Sequence, residues 1–160
     1  MNGFRDLARK KQKISEAECV SLLENEKRGV LSVNGDNGYP YGMPMNHYYE
    51  KEDGCIYFHC GRAGHRLDAL KKDPKVSFCV TEDGTAEENG WGRIVRSVIV
   101  FGKAEMIDDI ETVTQITSRL SRKFTNDGEY IKKEIEQFAK ATLLIKLIPE
   151  QICGKTVKES

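Results

Sequence analysis

The chain has 160 residues, and its 25 basic side chains balance 25 acidic ones, so no overall field draws it to nucleic acid or to an anionic membrane. The length suits one domain with a real core. With no apolar run of bilayer length and no signal-peptide centre, the expectation is a cytoplasmic protein, and five cysteines without a CxxC pair fit free thiols in a reducing compartment.

Residues 1–14 form a basic arm, in which Arg5, Arg9, Lys10, Lys11 and Lys13 meet only Asp6. A solvated leader is expected there, ahead of a single domain over 15–156 and a tail over 157–160. Ser15-Glu16-Ala17-Glu18 has the form of a capping box, and Cys19, Leu22 and Leu23 give the following helix an apolar stripe, so it should run to about Glu26. From Arg28 the pattern changes to strands. Gly29 to Val33 leads into a polar, glycine-rich turn at Asn34 to Gly38, and Tyr39 to Tyr49 returns. Pro40 and Pro44 cannot donate to a ladder, so this second strand must be an edge, bulged, or open to a ligand. Lys51 to Gly54 then turns into Cys55 to Cys60, which gives an antiparallel meander.

Cys55 to Cys60 reads as a strand, Gly61 and Gly64 as a tight turn, and Leu67 and Leu70 as one face of a short helix ended by Pro74. Arg62, His65 and Arg66 lie in or beside the first helical turn. Cations oppose the helix dipole at that end, so these three are either solvated surface charges or are there for a bound anion. Free N–H groups, the dipole and the guanidinium groups together suit a phosphate.

Lys75 to Thr81 alternates as a half-buried strand, and the acidic, glycine-rich run from Glu82 to Gly92, with Trp91 at its end, reads as a long surface loop covering a site or a subunit contact. Arg93 to Met106 is a long strand with a bulge or close backbone approach expected at Gly102. Asp108 to Glu111 caps a helix with Ile110, Val113, Ile116 and Leu120 on one face. A second helical stretch spans about Glu129 to Lys140, and Ala141 to Ile148 is a last strand stopped by Pro149. About six antiparallel strands with peripheral helices imply a mainly β fold, a closed or split barrel.

Neither G-x-G-x-x-G nor G-x-x-x-x-G-K-[ST] occurs, which leaves out a Rossmann dinucleotide site and a P-loop. A zinc site from Cys55, His59, Cys60 and His65 fails on strand parity, since Cys60 points away from Cys55 and His59, so no metal is expected. His59, at a strand end beside the proposed phosphate turn, either reaches a ligand ring or is a hydrogen-bonded structural histidine.

Taken together, Tyr39-Pro40 to Asn46, Ile56-Tyr57-Phe58-His59, Gly64-His65-Arg66-Leu67-x-x-Leu70, Asp73-Pro74-Lys75-Val76, Arg96 to Ala104 and Gly154-Lys155 resemble one known pattern. It is that of the pyridoxamine 5′-phosphate oxidase-like FMN-binding split-barrel superfamily, and within it the group related to 5-nitroimidazole resistance proteins. The resemblance covers roughly residues 15 to 156. It implies an antiparallel split β-barrel and a homodimer with FMN at the subunit interface. Met43, Pro44, Met45 and Asn46 would run along the flavin ring, with His59 and Cys60 near the ring and ribityl chain. His65 and Arg66 match the positions that hold the phosphate, with Arg62 close by, and Arg96, Ser97 and Val98 match the strand that approaches from the partner.

Two departures qualify the match. A histidine at 65, where a permanent cation is common, makes phosphate binding weaker or more pH-dependent. The substrate-binding arginine and histidine of true pyridoxamine phosphate oxidases have no counterpart in Gly154 to Ser160, which argues against that substrate. The implied function is an FMN-dependent reductase, with His59 orienting substrate or supplying a proton. It would pass hydride or electrons from a reduced nicotinamide or another donor to a small oxidised compound, for instance a nitroaromatic. The alternatives are a flavin or haem protein without turnover, a redox sensor, and a nucleic-acid-binding barrel acting through the basic arm.

Overall fold

The computed structural model describes residues 3–159, so residues 1 and 2 of the basic arm and Ser160 of the tail lie outside the described residues. Strands β1 (Arg28–Asn34), β2 (Pro40–Asn46), β3 (Tyr48–Glu50), β4 (Cys55–Cys60), β5 (Lys75–Thr81), β6 (Thr85–Ala86), β7 (Arg93–Ile107) and β8 (Leu143–Glu159) form one antiparallel sheet. Helices are α1 (Glu16–Asn25), α2 (His65–Lys72), α3 (Ile110–Ser121) and α4 (Gly128–Phe138). The sheet has eight strands, not about six, in the order β2-β1-β5-β7-β8-β4-β3, with β6 pairing β7. It curls into a half-barrel whose β2 edge returns towards β4, and Arg66 of α2 reaches across that split to Met43 on β2.

Period-2 burial fixes which side chains fill the barrel. Leu31 and Val33, Phe78 and Val80, Val98 and Val100, and Ile145 and Leu147 point inwards and are buried, with Phe58 packed edge-on against Phe78 at 4.9 Å. β4 is covered on both faces: Ile56 and Phe58 face the barrel, while Cys55 and Tyr57 pack with Leu144 against Val113 and Ile116 of α3. That double coverage is why residues 55–58 are continuously apolar.

The expected second strand over 39–49 is broken at His47, so β2 and β3 lie at opposite edges of the sheet and the meander does not form. His47 is fully buried at this corner, where its Nε2 lies 2.7 Å from the carbonyl of Leu23. Lys123 secures the same corner by donating to the carbonyls of Glu26 and His47 at 2.6 and 2.8 Å. The two prolines of β2 are tolerated because it is an edge strand.

Pro149 does not end the last strand. It pairs with Gly102 where the β7–β8 register shifts, so its missing N–H falls at a bulge and β8 continues to Glu159. Residues 157–159 are therefore strand rather than tail. The basic arm is also partly docked: Ile14 is buried and donates its N–H to the carbonyl of Gly154 at 3.1 Å, and Phe4 stacks on Phe101 at 5.5 Å. A Cβ at Gly154 would lie 2.5 Å from Cys19 Sγ and 2.7 Å from Ile14, so only glycine lets the arm and α1 close on β8. The capping box forms as expected, with Ser15 N–H donating to Glu18 Oε2 at 3.0 Å and Glu18 N–H to Ser15 Oγ at 3.2 Å.

Candidate functional site at the end of the fourth strand

His59 and Cys60 end β4 and alternate in direction, and two pockets meet at this strand end, with Cys60 and Gly61 lining both. On the Cys60 face, Tyr41, Gly64, His65 and Arg66 surround a small cavity of about 250 Å³ in the split between β2 and β4. It lies at the amino end of α2, where Gly64 has φ +130 and no side chain caps the helix. Leu67 N–H donates to the Gly64 carbonyl at 3.1 Å, which leaves the N–H groups of His65 and Arg66 with neither a backbone partner nor a side-chain cap. A Cβ at Gly61 or Gly64 would meet nothing within 4 Å, so the backbone stands open on this side.

Arg66 reaches into this space with its Nε 3.1 Å from Met43 Sδ, and its charge partly offsets the burial that raises the Cys60 thiol. The His65 ring stacks on Tyr41 with centroids 4.3 Å apart, and its Nε2 lies 3.5 Å from Asp36. Asp36 also meets Lys72 at 3.4 Å, so its charge is shared between two basic groups. Open N–H groups, one permanent cation and one imidazole make a set that fits a phosphate monoester.

Arg62 turns away from this set. Its Nε donates to the carbonyl of Lys140 at 2.9 Å and its Nη1 lies 3.5 Å from Asp108, so it clips the segment before β8 onto the end of β4. On β2, Met43 and Met45 are buried in the barrel core, whereas Pro44 is exposed and Asn46 accepts from Arg28 Nε at 3.0 Å. Arg96 is held by Glu82 at 2.9 Å, Ser97 is half-buried and Val98 is core. These three do not come near His59 within one chain. His59 pairs with Leu144 and Arg96 with Thr156, and positions 144 and 156 of β8 are separated by roughly 40 Å of extended strand.

On the His59 face, β4 and the α3–α4 pair enclose a cleft of about 530 Å³. Its apolar wall is Ile131, Ile135 and Phe138, and Thr117 Oγ1 is buried there without a hydrogen-bond partner. His59 is exposed at the cleft wall, and partial desolvation of its ring, with the Arg66 charge adding to it, holds its pKa below the ordinary value and favours the neutral imidazole. The sequence reading missed Thr117, Tyr130 and Phe138. The signal available was the i, i+4, i+7 stripe Ile131, Ile135 and Phe138, from which only Ile131 is fully buried.

A family model described as pyridoxamine 5′-phosphate oxidase matches residues 15–156. The chain belongs to the pyridoxamine 5′-phosphate oxidase family. Solved structures show the same fold at low identity. A candidate 5-nitroimidazole antibiotic resistance protein from Bacteroides thetaiotaomicron is 20% identical with a TM-score of 0.76, over 92% of this chain and 87% of that one. The flavocytochrome Anf3 from Azotobacter vinelandii is 21% identical with a TM-score of 0.75, over 96% and 72%. A FAD-binding protein from Mesorhizobium loti is 22% identical with a TM-score of 0.65, over 91% and 97%. A search of curated proteins finds no match. The family resemblance and the split-barrel expectation are thus borne out, and among the described residues no helix is long and apolar enough to cross a membrane.

Proposed function

We propose that this family member is an FMN-dependent oxidoreductase, acting as a homodimer with flavin at the subunit interface. It passes hydride or electrons from a reduced nicotinamide or another donor to a small oxidised compound of the nitroaromatic kind. The observation that carries the reading is the uncapped amino end of α2, open to the split between β2 and β4 and supplied with Arg66 and His65. That arrangement suits the phosphate of FMN, and the solved relatives described as a FAD-binding protein and a flavocytochrome are consistent with it.

When bound, FMN would supply the two-electron chemistry, which leaves the chain to bind, orient and handle protons. Arg66 and the α2 N–H groups hold the phosphate. Tyr41 keeps the His65 ring in place by stacking, so the imidazole stays beside that site. His59, neutral at working pH, orients the acceptor by donating its ring N–H to it or supplies a proton to it. If Arg96, Ser97 and Val98 take part, as the family resemblance implies, a second copy presents them, since their pairing with β8 lies far along the strand from that of His59.

His59→Ala tests the chemical part. The FMN-loaded variant should keep its flavin while turnover of a nitroaromatic acceptor with NADH or NADPH falls by about a hundredfold. Unchanged turnover would remove His59 from the reaction.

A further inference from the structure

We propose that the cleft between β4 and the α3–α4 pair is the acceptor site, and that it admits an uncharged, ring-sized organic molecule while rejecting carboxylates and phosphates. The assignment rests on the flavin reading above only for calling the ligand an electron acceptor; the selectivity comes from the cleft's own walls. Its volume of about 530 Å³ suits a ligand of one or two rings. One wall is apolar, formed by Ile131, Ile135 and Phe138, and the facing side carries His59, Thr117 and Ser121. Thr117 lines the same side, but its hydroxyl oxygen has no accessible surface, so the polar contacts open to a ligand come from the other lining groups. Thr142, also in the lining, already donates to the Phe138 carbonyl at 2.9 Å.

Charge decides the ligand class. Among the described residues no lysine or arginine lines this cleft, and its one carboxylate is Glu134. Arg62, which borders it in sequence, spends its guanidinium on the Lys140 carbonyl and Asp108. His59 stays exposed at the cleft wall, and partial desolvation of its ring together with the Arg66 charge favours the neutral form. An anion entering here would lose its hydration and face Glu134, while the two nearby guanidinium groups are engaged elsewhere, Arg62 with Lys140 and Asp108 and Arg66 with Met43. The two pockets share Cys60 and Gly61 but differ in lining charge: His65 and Arg66 line the one at α2, which suits an anionic group, and no lysine or arginine lines the one under α3–α4, which suits a neutral ring.

Calorimetric titration of the full chain, with and without saturating FMN, tests this with 4-nitrobenzamide and 4-nitrobenzoate, which share ring and nitro group and differ in charge. The amide should bind at least tenfold more tightly than the carboxylate. Ile135→Trp, which fills the cleft, should abolish amide binding while FMN is retained, and Phe138→Ala, which removes part of the apolar wall, should weaken it several-fold. No amide binding, equal affinities for the two, or an affinity untouched by both substitutions would overturn the proposal. Selective amide binding by a protein that retains no FMN would instead contradict the flavin reading and leave the cleft's selectivity standing.

Discussion

Two of the three histidines, the fully buried His47 and the exposed cleft residue His59, are held below their ordinary pKa, with different consequences. His59 borders a cleft, where a neutral imidazole is a usable acid–base group. His47 is sealed against Phe78 and Leu23, and loss of solvent, helped by the nearby Lys123 charge, lowers its pKa to about 4. Because the folded value lies below the unfolded one, the unfolded chain binds the proton more readily. The stability this group confers is therefore present above pH 6.5 and is lost as the pH falls towards 4. The full loss is about 3 kcal/mol, since each tenfold weakening of proton binding in the folded chain corresponds to about 1.4 kcal/mol. Urea midpoints at pH 7, 5.5 and 4.5 should fall more steeply for the native chain than for His47→Gln. Parallel curves would show that His47 titrates as it does in the unfolded chain.

The elements owe their positions to a few close approaches. At Gly154, α1 and Ile14 press so tightly on β8 that Gly154→Ala should cost about 1–3 kcal/mol in chemical denaturation. An alanine variant of native stability would mean that the arm is not docked there. Such contacts also explain which parts of the structure are legible in the sequence. The α1 cap, the α2 turn and the alternation of β5 depend on residues a few positions apart, so local pattern specifies them. The break at His47 and the passage of β8 through Pro149 depend on partners brought from afar, Lys123 and Gly102. The same holds for the site. The anion pocket at α2 is local and readable, whereas the turn of Arg62 towards Lys140, 78 residues away, and the cleft under α3–α4 arise only in the folded chain.

At the scale of the whole molecule, an apolar row crosses the outer face of the sheet. Pro44 pairs with Val30, Val30 with Cys79, Cys79 with Ile99 and Ile99 with Cys153, spanning five strands. Val30 is 41% exposed and Ile99 39%, so this face is wet in a single chain and suits contact with a second copy. Light scattering should give twice the chain mass for the native protein and mostly monomer for Ile99→Lys; a native monomer would contradict the shared site. The flavin chemistry proposed for this chain depends on the phosphate site at the amino end of α2, and the direct measurement is the absorbance spectrum after FMN is added and the excess removed, for the native chain and Arg66→Ala. One flavin retained per chain, with affinity falling about tenfold or more in the variant, is the expected result, since a lost charge-assisted hydrogen bond to phosphate is worth about 1.5–3 kcal/mol. No retained flavin, or equal retention by the two proteins, would contradict it.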